Sequence, residues 1–208
     1  MKLKCVINIF GGPGVGKSIM ASDLFSYMGK RGMSVEIVPE YAKTLNHEGR
    51  MNVLKEDQLY VFAKQHRQII RLREQYEYLI VDSPLLLSEI YFALGEPFYN
   101  PELLPALIRD TFYKYPNWNV FLHRNKDFKY RQEGRYQDAT GAKIVDNKVG
   151  CFLQLNDIDF NMYVPGMAQA EDLVEQMLTD KETGRTSIEY NRSYRTPDEN
   201  CFDTYGEK

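Results

Sequence analysis

The chain has 208 residues, 43% of them hydrophobic and 26% charged. These globular proportions exclude a wholly disordered chain, a collagen and a coiled coil. Its 26 basic and 29 acidic side chains leave a formal charge of −3, so no global basic excess announces nucleic acid.

In chain order, Cys5–Phe10 (CVINIF) is an apolar, β-branched run bounded by glycines and reads as a buried strand. Residues 17–30 space Ile19, Met20, Leu24, Tyr27 and Met28 for one helical face, with Gly29 and Gly32 at the end. Ser34–Pro39 reads as a second strand. Residues 54–76 place Leu59, Phe62, His66, Ile69 and Tyr76 at three- and four-residue steps and read as one long amphipathic helix. Tyr78–Val81 is a third strand, stopped by Asp82-Ser83-Pro84. Helices are expected over 85–94 and 101–115, a fourth strand over Asn119–His123, and an Arg- and Lys-rich loop over 124–143. A helix over Ile144–Leu155, a strand over Phe160–Val164 and a helix over 167–178 complete the pattern. The alternation predicts an α/β fold, a five-stranded parallel sheet with helices on both faces. Ligands of such sheets bind at the carboxyl edge. The domain expected is 1–178, with a polar tail over 179–208.

No apolar stretch approaches the roughly 18 residues of a membrane span. Cys5, Cys151 and Cys201 are widely spaced without a CxxC pair. That points away from a disulfide framework or zinc knuckle, toward a reduced cytoplasmic setting. Cys151 falls in a helical pattern and is expected as a small buried hydrophobe.

Gly11-Gly12-Pro13-Gly14-Val15-Gly16-Lys17-Ser18 matches G-x-x-x-x-G-K-[ST] in full, between a strand and a helix. Its backbone N–H groups form a concavity for phosphate oxygens, and the helix N-terminus adds positive potential. Lys17 is expected to reach the β- and γ-phosphates of ATP, and Ser18 to ligate Mg²⁺. A GTPase would carry N-K-x-D, which Asn125-Lys126-Asp127-Phe128 does not match. An AAA-type ATPase would end its third strand in Asp-Glu to activate water, where this chain has Asp82-Ser83. The chemistry expected is therefore transfer to a hydroxyl.

Glu40 follows the second strand, across the sheet edge from the cradle, placed to accept the proton of an acceptor hydroxyl. Its bland alternative is a solvated loop glutamate. Asp82 ends the third strand, where a carboxylate holds Mg²⁺ beside Ser18; its alternative is a helix N-cap, a role better suited to Ser83. The basic loop carries Arg124, Lys126, Lys129, Arg131 and Arg135. Arg131 and Arg135 are preferred over Arg124 as lid residues that stabilise the transferring phosphoryl group. His66 reads as a satisfied core histidine, Gln65 or Arg67 as a reader of a base edge, and Tyr41 and Tyr91 as stacking platforms or ordinary packing.

The set GGPGVGKS, VPEYAK, LIVDSP and an Arg-rich segment before IVDNKVGCFL resembles the P-loop nucleoside and nucleotide kinases over residues 1–178. It is similar to the thymidylate-kinase-like group and to nicotinamide riboside kinase domains, which share Glu-Tyr-Ala-[Lys/Arg] after the second strand. It also resembles a bacteriophage group that phosphorylates 5-hydroxymethyluracil in DNA during thymidine hypermodification. The resemblance implies ATP bound by Gly11 through Ser18, Glu40 as base, Asp82 as the acid after the third strand, and Arg131 and Arg135 in the lid. Thymidylate kinases have Asp-Arg where this chain has Asp82-Ser83, which disfavours a thymidine monophosphate acceptor. The partners implied are ATP and a nucleoside-like acceptor, foremost 5-hydroxymethyluracil in DNA, then a free nucleoside, nucleotide or nicotinamide riboside. A homodimer stands among the partners, a membrane does not, and a viral chain would act in the host cytoplasm. A P-loop ATPase or switch acting on a protein is the alternative of another class.

Overall fold

The computed structural model describes residues 2–95, 100–125, 130, 138–166 and 170–184. The elements run β1 (Cys5–Phe10), α1 (Lys17–Lys30), β2 (Val35–Val38), α2 (Tyr41–His47), α3 (Met51–Glu56), α4 (Gln58–Leu72), β3 (Tyr78–Val81) and α5 (Leu86–Leu94). They continue as α6 (Leu103–Tyr113), β4 (Asn117–Leu122), α7 (Ala139–Leu155), β5 (Asn161–Tyr163) and α8 (Ala170–Thr183). The five strands pair in parallel in the order β2-β3-β1-β4-β5. From central β1 the chain passes to the edge at β2, returns to β3 beside β1 and then crosses to β4 and β5 on the other side, so the crevice beyond β1 is the topological switch point where such sheets bind ligands.

The period-two alternation of β1 divides the core. Cys5, Ile7 and Ile9 pack with Met20, Leu24 and Met28 of α1 and with Leu173, Val174 and Met177 of α8. Val6 and Phe10 face the opposite layer, with Phe62 and Ile69 of α4, Leu86 and Ile90 of α5, Ile108 and Phe112 of α6, and Val149 and Phe152 of α7. Both faces are thus covered, as parallel sheets require. Asn8 lies on the second face, 1% exposed, and is satisfied across the ladder by Asn117 Oδ1 at 2.9 Å and Asn119 Oδ1 at 3.0 Å. This amide network ties β1 to β4 in one register, because a slip would leave buried amides unpaired.

Three expectations are corrected. The long helix expected over 54–76 is two helices, α3 and α4, preceded by an unforeseen α2. The break falls at Asp57, whose carboxylate caps α4 by accepting the Tyr60 N–H at 2.9 Å; an N-cap leaves the helical φ/ψ region and so ends the preceding helix. α7 starts at Ala139, not Ile144, because Asp138 caps it through the Gly141 N–H at 2.7 Å. The lid range 124–143 therefore overlaps the first turn of α7. α8 runs to Thr183 rather than 178, anchored where the Trp118 Nε1–H donates to Asp180 at 3.1 Å. Cys151 is buried, as expected. Among the described residues no helix is long and apolar enough to cross a membrane.

Candidate functional site

The Gly11–Ser18 loop opens at the carboxyl end of β1 and leads into α1. Gly16 sits at φ +108°, a conformation that an L side chain would strain. It is the N-cap of α1 and makes no side-chain cap, so the first-turn N–H groups stay available to an anion. Lys17 is 8% exposed, and its Nζ donates to the Gly11 and Gly12 carbonyls at 2.9 and 3.0 Å. The ammonium therefore lies folded against the loop itself.

Asp82 and Glu40 come together beside it, as their places after β3 and β2 anticipate. Asp82 Oδ2 accepts the Ser18 hydroxyl at 2.6 Å and Lys43 Nζ at 2.9 Å. Lys43 also bonds the Ser18 hydroxyl and stands 3.5 Å from Glu40 Oε2. One cation thus bridges both carboxylates. Burial works against its charge, but Asp82 and Glu40 outweigh it and hold its pKa above the usual lysine value. Lys43 was not among the residues expected here, although it stands three after Glu40 on α2, a spacing that places both on one side of a helix.

Asp82 Oδ1 is buried without a hydrogen-bond partner. A buried carboxylate oxygen with no donor is costly and marks a place for a cation. With the Ser18 hydroxyl alongside, it fits Mg²⁺, which takes few protein oxygens and fills its shell with water and phosphate. Among the described residues no cluster of three His, Cys, Asp or Glu side chains offers a closed metal cage. The N-cap alternative for Asp82 is not realised: α5 starts at Leu86 and Leu85 caps it without a side-chain bond. Ser83 is not the cap either.

Two further residues engage the cradle. Asp146 of α7 accepts the Gly12 N–H on Oδ1 at 2.8 Å. Arg124, just past β4, donates to Asp146 Oδ2 at 2.6 Å and to the Pro13 carbonyl at 2.7 Å. The pair is mostly buried, with side-chain exposures of 17% for Arg124 and 12% for Asp146. A Cβ on Gly12 would collide with the Asp146 carboxylate and lie 2.9 Å from the Ala142 carbonyl. Gly12 is therefore needed for close approach of α7. Sequence reasoning ranked Arg124 below Arg131 and Arg135, which lie outside the described residues, and it missed Asp146. The available signal was an acid on the apolar stripe Ala142, Val145, Val149 and Phe152.

Tyr41 and Tyr60 share a hydrogen bond at 2.9 Å. Burial first, and then the carboxylates of Glu40 and Asp146, raises the pKa of the Tyr91 phenol. Gln65 does not project into the cleft as a base reader would. Its amide is engaged by backbone, with Oε1 accepting the Tyr41 N–H at 2.9 Å and Nε2 donating to the Pro39 carbonyl at 3.2 Å. His66 is the satisfied core histidine expected, with Nε2 2.8 Å from Tyr115 Oη and its ring stacked on Phe62.

A family model described as an AAA domain matches residues 6–164. That is the class set aside on the end of β3. The match covers the cradle-bearing core, and Asp82-Ser83 still lacks the neighbouring glutamate. No curated protein matches by sequence. Among solved structures, NadR in complex with NAD and AMP-PNP superposes with TM-score 0.58 at 14% identity, over 88% of this chain and 50% of that one. NadR in complex with NR gives 0.55 at 14%, over 77% and 45%. Deoxyadenosine kinase from M. mycoides, with products dCMP and a flexible dCDP bound, gives 0.52 at 15%, over 86% and 99%. The chain spans about half the length of NadR. At these identities the likeness shows the fold, a P-loop kinase-like α/β fold.

Proposed function

We propose that this chain, which belongs to the AAA domain family, is an ATP-dependent kinase that phosphorylates a hydroxyl of a nucleoside-like acceptor. The observation that carries the reading is the meeting of Glu40, Asp82 and Ser18 around Lys43 at the mouth of the cradle. The N–H groups of Gly14 through Ser18 and the Lys17 ammonium hold the ATP phosphates. Glu40 takes the proton of the acceptor hydroxyl. The acceptor oxygen bonds to the γ-phosphorus as the bond to the bridging oxygen breaks, and ADP leaves. Asp82 and Ser18 hold Mg²⁺, which when bound supplies charge neutralisation for the phosphate oxygens. In the proposal Arg131 and Arg135 cover the transferring group from a lid preceding α7, within a domain that runs to the end of α8 at Thr183 rather than to 178.

Among acceptors, 5-hydroxymethyluracil in DNA is preferred, as in the viral hypermodification enzymes the sequence resembles. Support comes from α4, which carries Lys64, Arg67 and Arg71 and no carboxylate in a chain of net charge −3. All three are exposed and recur at helical spacing beside Gln68, which donates to the Pro39 carbonyl at 3.3 Å. Such like-charged neighbours cost a helix a few tenths of a kcal/mol each. A phosphodiester chain entering beside Glu40 would neutralise them. The test offers γ-labelled ATP with modified DNA, unmodified DNA and free nucleosides. Label on modified DNA alone is expected. Label on a free nucleoside alone overturns the DNA preference, and phosphate release without a labelled acceptor overturns the kinase reading.

A further inference from the structure

Helix α2 begins without the usual device. Its N-cap is Glu40, in extended backbone at φ −68° and ψ 114°, and the Glu40 side chain makes no capping bond. An acidic N-cap normally folds back to satisfy an orphan N–H of the first turn. Here another element supplies an acceptor. Gln65 of α4 is 3% exposed, on the buried stripe with Val61, Phe62 and Ile69. Its Oε1 accepts the N–H of Tyr41, the first helical residue, at 2.9 Å, and its Nε2 donates to the Pro39 carbonyl at 3.2 Å. The peptide groups on both sides of Glu40 are thus fixed by one side chain. Gln68 orients that side chain, donating to Gln65 Oε1 at 3.4 Å and to the same Pro39 carbonyl.

We propose that Gln65 is the positioning residue of Glu40: by taking over the first N–H of α2 and clamping Pro39, it leaves the Glu40 carboxylate directed at the cleft beside Lys43. The inference rests on Glu40 being the base. The cost of a buried carboxamide on an apolar stripe is met by its bonds to residues 39 and 41. An apolar residue would fill the space but leave the Tyr41 N–H and the Glu40 backbone unheld. A displacement of about 1 Å at a catalytic group lowers turnover by about a hundredfold.

The test uses the full chain with an acceptor that the wild type labels. Gln65→Leu is expected to lower kcat about 10- to 100-fold, while KM for the acceptor and the Kd for AMP-PNP stay within about twofold. Gln65→Glu keeps an acceptor for the Tyr41 N–H and loses the donor to Pro39; it is expected to lower kcat about tenfold with the Kd for AMP-PNP and KM for the acceptor within about twofold of wild type. A purely structural role would lower stability without separating kcat from KM in this way. If Gln65→Leu does not fold, the kcat-against-KM split of Gln65→Glu decides. Wild-type kcat in Gln65→Leu, or in Gln65→Glu, overturns the proposal. Glu40→Gln is run in parallel: retained transfer there defeats the base assignment itself, whereas lost transfer there with wild-type Gln65 variants defeats this inference alone.

Discussion

Gly12→Ala tests whether α7 sets the shape of the phosphate cradle. Gly12 does not adopt a left-handed φ, so an added methyl carries no conformational strain of its own. Its cost is steric. The Cβ would strike the Asp146 carboxylate and come within 2.9 Å of the Ala142 carbonyl and 3.0 Å of the Asp146 nitrogen. Two of these are backbone atoms of α7, so the helix must move. Losing the bond from the Gly12 N–H to a carboxylate costs about 1.5–3 kcal/mol, and overpacking about 1–3 kcal/mol. We expect a loss of about 4 kcal/mol, which in a chain of this size lowers Tm by about 10 °C. AMP-PNP affinity should fall at least about tenfold, equivalent to about 1.4 kcal/mol. Urea unfolding and calorimetric titration of AMP-PNP read both. Gly29→Ala, where an added Cβ meets nothing within 4 Å, is the control and should stabilise by about 0.5–1 kcal/mol. A Gly12→Ala protein within about 1 kcal/mol of wild type, with unchanged AMP-PNP affinity, would refute the coupling of α7 to the cradle.

Asp146→Ala leaves the Arg124 guanidinium without its counter-ion in a mostly buried position, and should cost about 3 kcal/mol by urea unfolding. Lys43→Met removes the cation between Glu40 and Asp82; the two carboxylates then face the cradle without their shared counter-charge, and single-turnover transfer should slow at least about tenfold. Burial, aided by the Arg73 charge, lowers the His66 pKa below its usual 6.5. The unfolded chain then binds more protons, so the contribution of His66 to stability is full above pH about 6.5 and is lost as pH falls through the folded value. Unfolding free energy measured between pH 5 and 7 should show this slope in the wild type and lose it in His66→Phe.

Much of the frame was legible because strands and phosphate loops obey local rules. β1, α1 and β3 follow from the apolar run CVINIF, the spacing of Met20, Leu24 and Met28, and the stop at Asp82-Ser83-Pro84. The shared place of Glu40 and Asp82 was legible because parallel topology brings the carboxyl ends of β2 and β3 to one edge. What was missed depends on contacts distant in sequence. The α3–α4 break turns on the Asp57 cap, which a helical period running through Leu59 and Phe62 conceals. Asp146 and Gln65 occupy apolar stripes of their helices, and only the fold reveals that each is satisfied by backbone, at Gly12 and at residues 39 and 41. The same polar-on-apolar pattern marks Glu89 of α5, which is buried and paired with Arg109. A polar residue on an apolar stripe signals an obligatory partner without naming it.

The central claim is that Glu40 takes the proton of an acceptor hydroxyl as the γ-phosphoryl group moves. The most direct measurement is single-turnover transfer from γ-labelled ATP to 5-hydroxymethyluracil-containing DNA, comparing wild type with Glu40→Gln at matched AMP-PNP affinity. We predict labelled DNA from the wild type and at least about a hundredfold slower labelling from Glu40→Gln. Equal labelling by both proteins, or ATP turnover by the wild type with no labelled acceptor of any kind, would contradict it.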